Sequence, residues 1–465
     1  MCIVEAQIGC RYLALSYSWG QVHSPALTLA EKAKLMTQHG LESVREKCPR
    51  TIRDAIHLVK QLGERYIWID RLCLVQDDAG DVLNGMQTMD QIYEGAALCI
   101  VAAAGHNADG GLPGVHAGSR SGTGHVEEVR EGVKMTVVGL LYESLSRTHY
   151  MTRGWTFQEL MLSPRCLIFL GSMVYYRCCR VVWSEDTVYD RFPSVKHDNV
   201  AMSHYLPTLR NAADRNAYQQ AIVRYNSRSL TDQKDALHAM TGMLRRMARN
   251  LGSDDWEGMV ISHFDLCLLF WHPPIPAAER RKWFPSWSWV GWQGGAARWP
   301  IGLGEEEAGK WLMAGPHIVW YRRCLQTGEL NFIIDPAEYS RRQGQPVAEP
   351  SRSSRTESAP EEDLPTKPKQ NVPLDLRTNV PRRRRVWSEA GRAVLEAILL
   401  SKGDSCESIM PTFGGLLKAD QPFYWIMLVE REGRISERRG LGFIYESHIE
   451  HLLSPGKRLE EVILA

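Results

Sequence analysis

Thr51–Asp78, TIRDAIHLVKQLGERYIWIDRLCLVQDD, decides the fold class. Ile52, Ile56, Val59 and Leu62 fall on one face at helical spacing. Thr51 and Asp54 have the spacing of a capping box, with Asp in place of the usual Glu. Gly63 suits the position just past a helix end. Tyr66–Ile69 is then a short apolar strand that ends at Asp70. Helix, tight turn and strand make half of an α/β unit.

The same grammar extends outward. Tyr12–Tyr17 is β-rich and breaks at Ser18-Trp19-Gly20, a strand followed by a loop. Leu83–Tyr93 carries Met86, Met89 and Ile92-Tyr93 on one helical face. Ala97–Ala103 is a buried strand, and Gly105–Gly124 is a glycine-rich loop. Arg153–Ser163 reads as a helix leading into the strand Cys166–Leu170. Apolar, unalternating strands between helices predict a mostly parallel sheet flanked by helices on both faces. Sites in such folds form at the carboxyl ends of strands, where Trp19, Asp70 and the Gly105 loop fall.

This α/β domain is expected over residues 1–180, followed by a helical, Trp-rich accessory region over 181–340. The accessory region reads mainly helical over 205–270 and then crowds Trp283, Trp287, Trp289, Trp292 and Trp299 around FPSWSWVGW. Residues 341–385 are rich in Pro, Ser, Glu, Lys and Arg and hold almost no large apolar side chains. They read as a disordered linker that ends in the run Arg382–Arg385. Residues 386–465 regain strands near Tyr424–Val429 and Leu441–Tyr445, a mixed α/β C-terminal part packing on the accessory region.

Composition narrows the function classes. A formal net charge of +1 over 465 residues gives no general drive toward nucleic acid or an anionic membrane. Ala96–Ala104 is the longest apolar stretch, far short of the roughly 18 residues of a membrane span. MCIVEAQIGC has no basic region followed by an apolar run, so no secretory signal is expected and a cytoplasmic protein with reduced thiols is. None of the 11 cysteines forms a Cys-x-x-Cys pair, and no metal site is expected. Gly-x-Ser-x-Gly and His-Glu-x-x-His are absent too.

Three segments in order, YLALSYSWG (Tyr12–Gly20), the Thr51–Asp78 stretch and RGWTFQELMLSPRCLIF (Arg153–Phe169), resemble the heterokaryon incompatibility (HET) domain of filamentous fungi. FPSWSWVGW resembles a segment that often follows that domain. The resemblance implies self/non-self recognition, a cell-death output, and partners that are other proteins or further copies of the chain. Two departures stand out. Arg71 occupies a position where the family usually has serine. Val82 and Gly85 occupy the places of a usual Trp and Glu in the helix after Asp77-Asp78.

The HET domain in turn resembles the TIR domain, whose NAD⁺-cleaving members carry a catalytic Glu in a Trp-Cys-x-x-Glu-Leu pattern. Trp155-Thr156-Phe157-Gln158-Glu159-Leu160 keeps the Trp, the Glu and their spacing, with Thr156 for the cysteine. That resemblance implies Glu159 as the catalytic residue, with Ser18, Trp19, Gly20, Asp70, Arg153 and Trp155 around a bound NAD. The NAD would be a substrate, and no cofactor is required. A carboxylate there would stabilise the oxocarbenium-like state formed as the nicotinamide–ribose bond breaks. The residues also carry plainer readings. Glu159 suits the first turn of a helix, Trp19 and Trp155 suit a core, Asp70 suits a loop anchor or a partner for Arg153, and Asp77-Asp78 suits a solvated turn. An enzyme and a non-enzymatic signalling module therefore both remain open at this point.

Overall fold

The computed structural model describes residues 1–7, 9–120, 126–136, 141–179, 181–185, 215–272, 278–294, 299, 320–323, 330–333, 395–403, 422–432, 435–445 and 463–464. The expected linker over 341–385, with its arginine run, lies outside the described residues. The chain divides into two compact units, Met1–Ala213 with Arg228–Asn250, and Asp214–Ser227 with Leu251–Ala465.

The first unit is built on a six-stranded sheet. Its chain contributes β1 (Leu13–Tyr17), β2 (Ile67–Trp68), β3 (Leu98–Ala102), a separate hairpin of β4 (Val126–Arg130) and β5 (Val133–Thr136), then β6 (Arg165–Leu170), β7 (Met173–Cys178) and β8 (Val182–Ser184). The sheet order is β2-β1-β3-β6-β7-β8. β2, β1, β3 and β6 run parallel, with Leu13 opposite both Ile67 and Leu98 and Cys99 opposite Cys166. β7 and β8 continue it antiparallel, through the tight turn at Gly171, whose φ is +58°. All four strands expected in one sheet are in it, and the architecture is α/β.

The helices are α1 (Leu29–Met36), α2 (Glu42–Arg45), α3 (Arg50–Gln61), α4 (Asp70–Cys73), α5 (Ala79–Gly95), α6 (Leu141–Ser146), α7 (His149–Thr152) and α8 (Trp155–Leu162). Side chains alternate across a strand. Leu13, Leu15 and Tyr17 therefore share one face and pack with Ile52, Ala55 and Val59 of α3. Ala14, Ser16 and Ser18 point to the other face, where α5 and α8 lie.

Two local readings change. Thr51 and Asp54 do not cap α3, which starts one residue earlier behind Pro49. Thr51 Oγ1 instead accepts from Gly111 N at 3.0 Å and Asp54 Oδ2 from Leu112 N at 2.8 Å, so both pin the loop after β3. Arg50 and His116 flank the same buried carboxylate at 3.6 and 3.2 Å. Asp77 and Asp78 lie in the solvated turn expected of them, and each also anchors a helix start. Asp78 accepts from Gly80 N and Asp81 N at the start of α5, and Asp77 accepts from Leu29 N at the start of α1. That cap starts α5 at Ala79, four residues ahead of Leu83.

Two further helices follow, α9 (Arg215–Asn226) in the second unit and α10 (His238–Asn250) in the first. α10 lies on α5 and α8. Gly242 N donates to Gln158 Oε1 at 2.9 Å, a Cβ on Gly242 would strike the Asp90 side chain, and Arg246 pairs with Glu94 at 2.7 Å.

In the second unit a hairpin of β9 (Asp255–Trp256) and β10 (Met259–Val260) precedes α11 (Phe264–Cys267), a short interruption in a stretch whose described residues are otherwise mainly helical, as expected. β11 (Glu279–Arg280) pairs with β12 (Trp292–Gln293), and β13 (Tyr321–Arg323) with β14 (Leu330–Phe332). β15 (Leu395–Gly403), β16 (Phe423–Glu432) and β17 (Ile435–Tyr445) form an antiparallel sheet, with β18 (Ile463–Leu464) parallel at its edge. Arg438 of β17 is buried. Its guanidinium lies 3.9 Å from the centre of the Phe270 ring and donates to the Leu268 and Phe270 carbonyls, while its backbone N donates to Ser286 Oγ at 2.9 Å.

Asp54→Ala strips a buried acceptor from Leu112 N–H. Leaving such a group unpaired costs about 1–3 kcal/mol, so the urea midpoint should fall, with Asp54→Asn falling less. Unchanged midpoints for both variants would contradict the anchoring role.

Candidate functional site

Ser16 sits in the middle of β1 and faces α8. Its hydroxyl hydrogen-bonds Glu159 Oε2 and also the Tyr150 hydroxyl of α7. Tyr93 of α5 donates to Leu15 O at 3.0 Å and lies against the same carboxyl. Glu159 is 5% exposed. Three helices and β1 thus close around one acid. Burial pushes its pKa up to about 8, against the pull of the Ser16 hydroxyl, with Asp70 raising it further. At neutral pH the carboxyl is mainly protonated.

The position of α8 is fixed at its far end as well. Ser163 Oγ donates to Glu159 O at 2.7 Å. The buried Arg177 of β7 donates to Leu160 O and Ser163 O at 2.7 and 3.1 Å, and to Cys166 Sγ at 2.9 Å. Burial opposes ionisation of the Cys166 thiol, but the Cys99 thiol and the Arg177 charge outweigh it and bring its pKa down to about 6. The nine described cysteines are free thiols.

A second cluster forms where β1 and β2 end. Trp19 Nε1 donates to Asp70 Oδ2 at 2.8 Å and Arg71 N to Asp70 Oδ1 at 2.7 Å. Burial raises the Asp70 pKa to about 6, with these donors holding it down. The Arg71 guanidinium lies 4.9 Å from the centre of the Trp19 ring and donates to Ser24 O. Arginine at 71 therefore covers one face of Trp19, the indole expected to form an aromatic wall. Gly20 has a φ of +63°, and a Cβ there would strike Asn107, so glycine is required where this loop meets the loop after β3. Ser18 is 1% exposed, and its hydroxyl has no hydrogen-bond partner among the described residues.

The proposed site residues fall in three places. Glu159 belongs to the buried network on β1, and Asp70 acts on it electrostatically. Ser18, Trp19, Gly20 and Asp70 lie together at the carboxyl ends of β1 and β2. Arg153 and Trp155 lie toward the start of α8: Arg153 bridges Ser229 through its backbone, and Trp155 hydrogen-bonds Asp235. Asp70 is bonded to Trp19 and Arg71, not to Arg153. Ser16, Tyr93 and Tyr150 complete the Glu159 network. From the sequence, Tyr93 falls on the apolar face of its helix, and none of the three is assigned to the site. Gly85 is buried, and a Cβ there would lie 2.6 Å from the Leu74 side chain, which would have to shift to admit a larger residue.

Among the described residues, no group of three or more His, Cys, Asp or Glu side chains is placed to hold a metal ion, and no helix is long and apolar enough to cross a membrane. The sheet from β1 through α8, with both clusters, is the part of the chain that a known family describes. Residues 12–159 match the family model of the heterokaryon incompatibility protein (HET), so this part of the chain is a HET domain. No curated protein and no solved structure matches the chain.

Glu159 has a higher pKa folded than unfolded, so the folded form keeps a proton that the unfolded chain releases above about pH 4.5. Its contribution to stability is full below that pH and is lost as pH rises through about 8. Glu159→Gln keeps the shape without the proton. From pH 6 to 8 the stability gap should move toward the variant by on the order of 2 kcal/mol. Urea midpoints at both pH values test this, and parallel pH profiles would refute it.

Proposed function

We propose that this protein acts in heterokaryon incompatibility as a cytoplasmic self/non-self recognition protein whose output is programmed cell death, and that its HET domain works as a non-enzymatic signalling module through partner binding or self-association. The observation that carries this is the state of Glu159. The residue at the catalytic position of the TIR-like pattern is buried, hydrogen-bonded by Ser16 and enclosed by Tyr93 and Tyr150. An acid held neutral in a packed layer organises the framework and is poorly placed to stabilise a cation on a substrate.

A second reading is TIR-like cleavage of NAD⁺. It is favoured by the gathering of Ser18, Trp19, Gly20 and Asp70 at the carboxyl ends of β1 and β2. β2 and β3 flank β1, so the direction of winding reverses there, and such sheets place ligands at that point. In this reading Trp155 and Arg153 come from the start of α8. Glu159 would have to separate from Ser16, ionise, and face the ribose as the nicotinamide bond breaks and water adds to the sugar.

One experiment separates the two. Nicotinamide release by the purified chain and cell death on expression are measured for wild type and Glu159→Gln. The module reading expects no nicotinamide from either and an undiminished cell-death output from the folded variant. The enzyme reading expects release by wild type and a fall of about 10²–10³-fold in the variant, with cell death falling alongside.

A further inference from the structure

A cavity of about 470 Å³ opens at the carboxyl ends of β3 and β6, one strand along from the Trp19–Asp70 cluster. That volume lies within the range of small-molecule sites, about 300–1,000 Å³. Its lining holds three basic side chains, His106, Arg147 and His149, and no acidic one. The hydroxyls of Ser144, Thr148 and Ser172 add polar groups on the same walls, while Leu170, Met173 and Tyr175 supply an apolar side.

The basic groups stand close without compensation. The His106 and His149 rings are 5.7 Å apart, and Arg147 makes no hydrogen bond or ion pair among the described residues. Burial lowers the His149 pKa, and the nearby charges of Arg153 and His106 lower it further. One guanidinium and two imidazoles gathered round one space, with no carboxylate in its lining, favour an anion there. Arginine and histidine suit phosphate: the guanidinium offers paired N–H groups to two oxygens, and each imidazole can add an N–H donor. The apolar side would seat an organic body joined to that phosphate.

We propose that this cavity binds a small soluble phosphate ester, its phosphate on His106, Arg147 and His149 and its organic part against Leu170, Met173 and Tyr175. The site uses no property of Glu159 and holds under either mechanism above. α7 links the two places, since it sends His149 to the cavity and the adjacent Tyr150 to the Glu159 network.

The test is calorimetric titration of the full chain at low ionic strength and pH 6.5 with AMP, inorganic phosphate and adenosine. Wild type should bind AMP, bind inorganic phosphate more weakly, and not bind adenosine. Arg147→Gln changes an exposed side chain and should weaken AMP binding at least about tenfold. Ser172→Glu should abolish it, while Ser172→Lys at the same turn should retain it. Circular dichroism and the urea midpoint establish that each variant is folded. No binding of AMP or phosphate at millimolar concentration would overturn the proposal. So would adenosine binding as tightly as AMP, or AMP binding that Arg147→Gln and Ser172→Glu both leave unchanged.

Discussion

The hydrogen bond from Ser16 to Glu159 is the constraint on which the HET domain is arranged. A carboxyl taken from water into a packed sheet–helix layer is tolerated when it is neutral and bonded, and is costly otherwise. Ser16 supplies the bond from the middle of β1. Tyr93 and Tyr150 bring α5 and α7 to the same point, and Arg177 holds the other end of α8 against β7. The first and third signature segments, separated by more than a hundred residues of chain, are therefore fixed to each other by a single polar contact inside an apolar layer.

The middle segment joins the first through Asp70. Asp70 takes the Trp19 indole and the Arg71 amide on its two oxygens, which sets the loop after β1 against the end of β2. Arg71 then lies on the indole and reaches the Ser24 carbonyl. A serine at this position could not make that stack. Below the sheet, Asp54 and Thr51 do the corresponding work for the loop after β3.

Much of this was legible in the sequence where the cause is local. The apolar face of α3, the turn at Gly63 and the four parallel strands follow from periodicity and from residue types that suit only a few conformations. The position of Glu159 on a helix followed as well. What was not legible depends on chain segments meeting across the fold. Thr51 and Asp54 look like a cap from their spacing, and only the arrival of Gly111 and Leu112 shows otherwise. Tyr93 shows in the sequence only as part of an apolar helix face and Tyr150 not at all, because their hydroxyl partners lie in other segments of the chain. His106, Arg147 and His149 form no motif, since the loop after β3 and the junction of α6 with α7 bring them to one cavity. The roof that α10 makes over α5 and α8 leaves one small mark, Gly242, whose reason is the side chain of Asp90.

That roof has a consequence for synthesis. The family match ends at Glu159, within α8, and the apolar side of α8 is still open when β6 and β7 have been made. Closure waits for α10, so the ribosome must translate to about residue 250 before the unit is sealed. During that interval the faces of α5 and α8 are presented to the cell without their cover. This is the stage at which a helper protein, or a neighbouring nascent copy, has access to a surface that the finished molecule never shows.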